Sequence, residues 1–309
     1  MDGHEGDMVS MRRIRRSMIA ASVLAVALGA AACGKTNVGE SSTTTTPSGS
    51  GTSAPFWSLV PDSIKDDGKL VFAVDASYPP NEYTNSEGTI TGWGVDLAAQ
   101  ISALVGLEPQ FINVSMDRLV SDVSKGDYEL GLASISITPA RTPLVDLVSY
   151  AQAGTAWAVA AGNPTGMTQN SACGHRVAVL KGSVQADDIT TRSILCTKAS
   201  RSGIVIEPFQ KQTDATTALL DGSVDAILAD SPVITAAVAA NGTKLQELGA
   251  TYAVLPYGIA VPKGSGDLAI AVRRAVQKLI DDGSYVQALS KAAVADAAIQ
   301  TSLIYPPAR

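Results

Sequence analysis

Two stretches of the chain repeat one local plan. "LVSDVSKGDYELGLAS", Leu119 to Ser134, reads as a helix, a Lys-Gly turn and a buried strand. "ATTALLDGSVDAILAD", Ala215 to Asp230, reads as a helix, an Asp-Gly turn and a buried strand. A helix followed at once by an apolar strand can bury that strand only inside a sheet covered by helices. A unit used twice implies two such sheets, so the expected class is α/β with mainly parallel strands. "KLVFAV" (Lys69 to Val74) and "RVAVL" (Arg176 to Leu180) add further buried-strand patterns. "GVDLAAQISALVGL" (Gly94 to Leu107) has helical spacing, with Asp96 in the first turn where the helix dipole favours an acid. With 309 residues, 46% of them hydrophobic and 17% charged, the chain is long enough for roughly two compact domains.

The beginning of the chain reads as an export address. Arg12, Arg13, Arg15 and Arg16 precede an apolar run from Met18 to Ala32, too short to span a bilayer stably. The run closes as "LGAAAC", Leu28 to Cys33, which resembles a bacterial lipobox in which the cysteine is lipidated. Ala30 stands where an aliphatic residue is usual, so a plain signal peptide cleaved nearby is the competing reading. The polar stretch "SSTTTTPSGSGTSAP", Ser41 to Pro55, suits a tether and favours the lipoprotein. The expected divisions are a signal peptide with lipobox over 1–33 and a flexible Ser/Thr-rich tether over 34–55. Without residues 1–33 the chain keeps 19 basic and 26 acidic side chains, a net charge of −7, which disfavours a nucleic-acid partner. Cys173 and Cys196 are an even pair in an exported chain and are most simply a disulfide. A metal or redox pair is the weaker alternative, because His175 is the only nearby histidine.

Charge pattern suggests a ligand. In α/β sheets, ligands sit beyond the carboxyl ends of the strands, where the repeat places Ser134 and Asp230. "ASISITPAR", Ala133 to Arg141, alternates like a strand edge and sets Ser134, Ser136 and Thr138 ahead of Arg141. Gly182 and Ser183 open a helix after a strand, and free N–H groups at such a start form an anion site. Arg141 and that helix start suit a carboxylate, and Asp230 suits an ammonium group. Together they fit a free α-amino acid, whose charges are costly to bury without opposite partners. Each residue also has a bland reading. Arg141 after Thr138-Pro139 makes a solvated turn arginine, Asp230 before Ser231-Pro232 makes a turn, and Ser183 is a simple helix cap.

The ordered series "VDASYPPNEY", "GWGVDLA", "SISITPAR", "VLKGSV", "ILADSP" and "YGIAVPKG" resembles the polar amino-acid members of the extracellular solute-binding proteins, family 3. The likeness runs from about Gly68 to Tyr285. It implies a two-lobed periplasmic-binding-protein-like fold of type II, each lobe a mainly parallel sheet flanked by helices, joined by two hinge crossovers. Lobe one would comprise 56–153 plus 259–309, and lobe two 154–258. The resemblance makes Arg141 the clamp for the α-carboxylate, with Ser136 adding a hydroxyl and Ser134 a backbone or hydroxyl contact. Gly182 and Ser183 become helix-start donors, Asp230 receives the α-amino group, and Asp75 and Tyr78 surround the ligand side chain. The series departs from the family at Asn81, where a phenylalanine is common, and at Gly94, where an aspartate is common. Trp93 reads as packing more than as a ligand contact, Tyr78 as a stacking platform or a surface aromatic, and Glu82 as a partner for a ligand cation or an exposed acid.

The resemblance further implies a membrane-anchored lipoprotein outside the cytoplasm, on the periplasmic or extracellular face, acting as a monomer. It would deliver a polar amino acid to an ABC permease and need no cofactor or metal. With His4 in the leader and His175 as the only other histidine, no Ser-His-Asp triad can be assembled. Asp75, Glu82 and Asp230 keep open an enzyme of the cyclohexadienyl dehydratase type, and a sensor for a membrane signalling partner is a third reading. Asp75 and Glu82 would suit a basic ligand side chain; Asn81 with Tyr78 would suit an amide.

Overall fold

The computed structural model describes residues 53–305. The leader, Cys33 and the tether as far as residue 52 lie outside the described residues.

After α1 (Asp62–Lys65) and β1 (Lys69–Val74), a small antiparallel sheet of β2 (Ser77–Tyr78), β3 (Glu82–Thr84) and β4 (Ile90–Thr91) precedes α2 (Trp93–Val105). The chain continues through β5 (Glu108–Asn113), α3 (Met116–Ser124), β6 (Leu130–Gly131) and the long β7 (Val145–Ala160). Next come β8 (Arg176–Leu180), α4 (Val184–Lys198), β9 (Val205–Phe209), α5 (Gln212–Leu220) and β10 (Ala226–Asp230). It ends with α6 (Ser231–Asn241), β11 (Leu245–Glu247), β12 (Tyr252–Pro262), α7 (Leu268–Asp281), α8 (Ser284–Lys291) and β13 (Ile304–Tyr305).

The main sheet has the order β5-β1-β6-β12-β7-β10-β8-β9. Read inward from its two edges, β5-β1-β6 and β9-β8-β10 hold equivalent places, parallel within each trio. The trios meet across β12 and β7, which are antiparallel to β6, to β10 and to each other. The helix-turn-strand unit in the sequence is therefore the second part of a larger repeat, strand-helix-strand-helix-strand. In both copies a glycine with positive φ, Gly126 (80°) and Gly222 (78°), makes the turn that a side chain would strain. We refer to the β5-β1-β6 side as the first half and the β9-β8-β10 side as the second.

Apolar side chains cover both faces. Phe72, Leu97 and Ile101 pack with Val272, Val276 and Tyr285, so α7 and α8 from the end of the chain complete the first half. The Tyr285 hydroxyl donates to Tyr150 O (2.9 Å) and accepts from Ile299 N–H (3.0 Å), which satisfies a buried phenol and pins this end to β7. A second cluster runs beneath α3 and α5 from Leu119 and Ile135 to Ala215 and Ile227. In the second half, Trp157, Val177, Ile189 and Leu228 close on Cys196, whose disulfide to Cys173 has a Cα–Cα distance of 5.6 Å. That bridge, expected from the cysteine count, ties the approach to β8 onto α4.

One local expectation fails. "ASISITPAR" is not a strand edge: beyond Gly131 the chain leaves the ladder, and only Ser136 makes a bridge, to Tyr257. Ser134 takes a left-handed conformation (φ 52°) that ends the extended run. Period-two alternation signals one buried and one wet face, whereas Ser134, Ile135, Ser136 and Ile137 are all buried here. The isoleucines face the core, and the small hydroxyl residues line a cavity at the sheet centre.

Among the described residues no helix is long and apolar enough to cross a membrane, and no group of acidic, histidine or cysteine side chains could hold a metal ion.

Candidate functional site

The strand ends of both halves converge on one cavity of ≈ 10 Å³, room for about one water molecule. The first half contributes Asp75, Tyr78, Met116, Ser134, Ser136 and Arg141. The second contributes Leu180, Ser183, Gln185 and Asp230. Asp75, Tyr78, Ser134, Ser136, Arg141, Ser183 and Asp230 were expected at a ligand site, and they meet here.

Asp230 ends β10 and is buried. Its Oδ2 accepts from the Tyr78 hydroxyl (2.9 Å), its Oδ1 accepts from Gln185 Nε2 (2.8 Å), and its own N–H donates back to the Tyr78 hydroxyl (3.0 Å). Burial raises its carboxyl above the ordinary range, against the pull of Tyr257, Tyr78, Gln185 and Arg141. Tyr78 is likewise pushed well up, first by burial and then by Asp230. The surface-aromatic reading of Tyr78 is excluded by its 4% exposure.

Arg141 lies in the turn before β7. Its Nη1 donates to Ser136 O (2.8 Å) and its Nη2 to Gly182 O (2.9 Å) in the second half. Among the described residues no carboxylate reaches ion-pair distance of it; burial lowers its pKa, opposed at longer range by Asp230 and Asp187. A guanidinium carries five N–H donors, so most remain for an anion. Beside it, the Ser136 hydroxyl has no partner among the described residues. Ser183 caps α4 by accepting from Ala186 N–H (3.2 Å), which leaves its own hydroxyl hydrogen free to donate.

Gly182 departs from its expected part as a donor. It presents its carbonyl to Arg141 and does not line the cavity. Its backbone lies so near α3 that an added Cβ would come within 2.5 Å of Asp117 Cα.

Ser134 also departs from expectation. Its hydroxyl accepts from Asn81 Nδ2 (2.9 Å) and donates its one hydrogen to Glu82 Oε2 (3.0 Å). Toward the cavity it therefore offers only a lone pair, an acceptor and not a carboxylate donor. Glu82 is fully buried, so its exposed reading is wrong; its Oε1 has no partner, and an added Cβ on Gly94 would lie 2.2 Å from that oxygen. The missing side chain at Gly94 is what leaves room for the carboxyl. Burial raises Glu82 well above the ordinary value of 4.5, and Asp75 and Asp230 add to this. Trp93 is buried, donates to Asn81 Oδ1 (2.7 Å) and packs 5.8 Å from Tyr150. Glu82 and Trp93 thus stand behind Ser134 and outside the cavity lining.

Asp75 lines the cavity, yet its oxygens are held within the first half. Oδ1 accepts from Ser77 N–H (3.1 Å) and the Ser77 hydroxyl (2.6 Å), and Oδ2 from Met116 N–H (3.0 Å) at the start of α3. Burial still raises its pKa. Met116 and Gln185 went unnoticed in the sequence. Gln185 had a signal, since it lies two residues into the helix that Ser183 caps; Met116 had none beyond opening a helix.

The polar groups sort by sign. Donors gather at Arg141, Ser136 and Ser183; acceptors gather at Asp230, Asp75 and Ser134.

Residues 70–293 match the bacterial extracellular solute-binding proteins, family 3. The chain is similar to the arginine-binding protein ArgT of Corynebacterium glutamicum, 30% identical over 249 residues that cover 80% of this chain and 81% of that one. It is also similar to the ABC transporter glutamine-binding protein GlnH of Bacillus subtilis, 30% identical over 234 residues, 74% of this chain and 82% of that one. Among solved structures, an ancestral arginine-binding protein bound to arginine superposes with a TM-score of 0.68 at 28% identity, covering 72% of this chain and 97% of that one. The fold is that of the type II periplasmic amino-acid-binding proteins, as the motif series implies. By sequence and by fold, the chain belongs to the bacterial extracellular solute-binding proteins of family 3.

Proposed function

We propose that the protein captures a free polar amino acid outside the cytoplasm and delivers it to an ABC importer. The observation that carries this reading is the segregation of donors and acceptors within one cavity. Arg141, Ser136 and Ser183 take the α-carboxylate; Asp230 and the lone pair of Ser134 take the α-ammonium. The ArgT and GlnH relatives, named for arginine and glutamine, support the same class of ligand. With Arg141 matched to the ligand carboxylate and Asp230 to its ammonium, Asp75 is the further acid lining the cavity, so a cationic side chain suits it best. Arginine is the first ligand to try and glutamine the second.

A cavity of ≈ 10 Å³ with walls from both halves admits an amino acid only if the halves part. The proposed lobes are 56–153 plus 259–309 and 154–258. Opening would occur where β7 and β12 pass between them, near the irregular pairing at Tyr257/Gly258. A ligand favours the closed form only through contacts made in that form. The protein is proposed to act as a monomer held at the membrane by a lipid on Cys33; Cys33→Ala should then move it from the membrane to the soluble fraction.

Calorimetry of the purified protein against the twenty amino acids tests the reading. Micromolar binding corresponds to about −8 kcal/mol. Absence of any binding tighter than millimolar would reject it.

A further inference from the structure

On the rim of the cavity, the first turn of α3 meets two turns of the second half. Asp117 Oδ2 pairs with Lys181 Nζ (2.9 Å) and accepts from Gln210 Nε2 (3.5 Å), while Oδ1 accepts from the Ser115 hydroxyl (2.7 Å) of its own half. Gly182, next to Lys181, fits against the backbone of Asp117 with no space for a side chain. Neither Asp117 nor Lys181 lines the cavity.

We propose that Asp117 is a positioning residue for binding: with Lys181 and Gly182 it forms a latch that holds the two halves together without touching the ligand. The inference rests on the reading of the protein as one that closes on an amino acid. Three features support the latch. The ion pair joins the halves directly. The glycine permits an approach that any other residue would block. Burial pushes the Asp117 carboxyl up, but Lys181, Ser115 and Gln210 together pull it below the ordinary value, so it carries its charge at neutral pH.

A latch outside the cavity has a signature that a ligand contact lacks. Apparent affinity scales with the fraction of molecules in the binding-competent form, so losing the latch weakens every ligand by one common factor. With Lys181 half exposed, that factor is about two- to five-fold. It should shrink as salt rises, because exposed pairs are screened.

The test uses Asp117→Asn, Lys181→Met, their combination, and the exchange Asp117→Lys with Lys181→Asp. Dyes at Glu87→Cys and Thr190→Cys report the distance between halves without ligand, at about 20 mM and about 500 mM salt; binding of arginine and of glutamine is measured alongside. The expected result has four parts: each single variant lengthens the distance at low salt, the double variant adds nothing further, the exchange restores the native distance, and both ligands weaken by the same factor. An unchanged distance in the single variants, or additive effects in the double variant, overturns the latch. If no amino acid binds the native protein, the proposed function fails, while the distance measurement still decides the latch.

Discussion

Replacing Arg141 tests the site most directly. In the native protein its guanidinium is partly buried and spends two donor groups on the carbonyls of Ser136 and Gly182, at 2.8 and 2.9 Å. Its remaining donors are unspent, and Arg141 lines the cavity. Arg141→Ala would leave a ligand carboxylate buried against Ser136 and Ser183 alone. Stranding one member of a buried ion pair costs about 3–5 kcal/mol, a loss of affinity of about 150- to 5,000-fold. Because no carboxylate among the described residues pairs with Arg141, the folded protein itself should lose only the two bonds to Ser136 O and Gly182 O, a drop in stability far smaller than the loss of affinity. Arg141→Lys should recover only part of the loss, since an ammonium cannot reproduce the fork of the guanidinium. The assay is calorimetry of each variant with arginine and with arginine amide, which lacks the carboxylate. The native protein should prefer the acid strongly, and Arg141→Ala should nearly erase that preference. A loss below tenfold, or an equal loss for both ligands, would refute the clamp.

Glu82 predicts a pH signature. Its folded pKa lies well above the ordinary 4.5, so as pH rises past that value the unfolded chain ionises while the folded chain resists, and stability falls. Glu82→Gln removes this slope: in denaturant melts the variant should gain on the native protein as pH rises above 4.5, and a gap independent of pH would contradict the assignment. Gln212 is buried with neither side-chain polar atom partnered. Gln212→Met should raise stability by about 1–3 kcal/mol; a lower melting temperature would show that the amide has a partner that matters. Reducing the Cys173–Cys196 bridge, which spans 23 residues, should lower stability by about 3 kcal/mol with ligand affinity unchanged. An affinity loss would mean that the bridge supports the cavity.

The repeated helix-turn-strand unit was legible because each copy joins a glycine turn to a continuous apolar run. The edge strands of the repeat were not, since they lack that run: β5 and β9 are half exposed and carry Pro109 and Pro208. Charged site residues were legible by their sign, as with Arg141, Asp230 and the helix start at Ser183. What escaped was pairing at long range. The contact of the Tyr78 hydroxyl with Asp230 joins residues 152 apart, and no local pattern announces it. The role of Ser134 is set by Asn81 and Glu82, 53 and 52 residues away, which turn an expected donor into an acceptor. Burial decided Glu82, and burial belongs to the packed molecule.

The two halves draw on the chain differently. Strands β8, β9 and β10 come from one uninterrupted stretch, whereas β1, β5 and β6 must wait for α7 and α8, which pack on α2 from the far end of the sequence. A chain threaded from its N-terminal side therefore presents an uncovered face of α2 until α7 and α8 arrive. The second half can finish folding while the first, although begun earlier, is still open to misassembly.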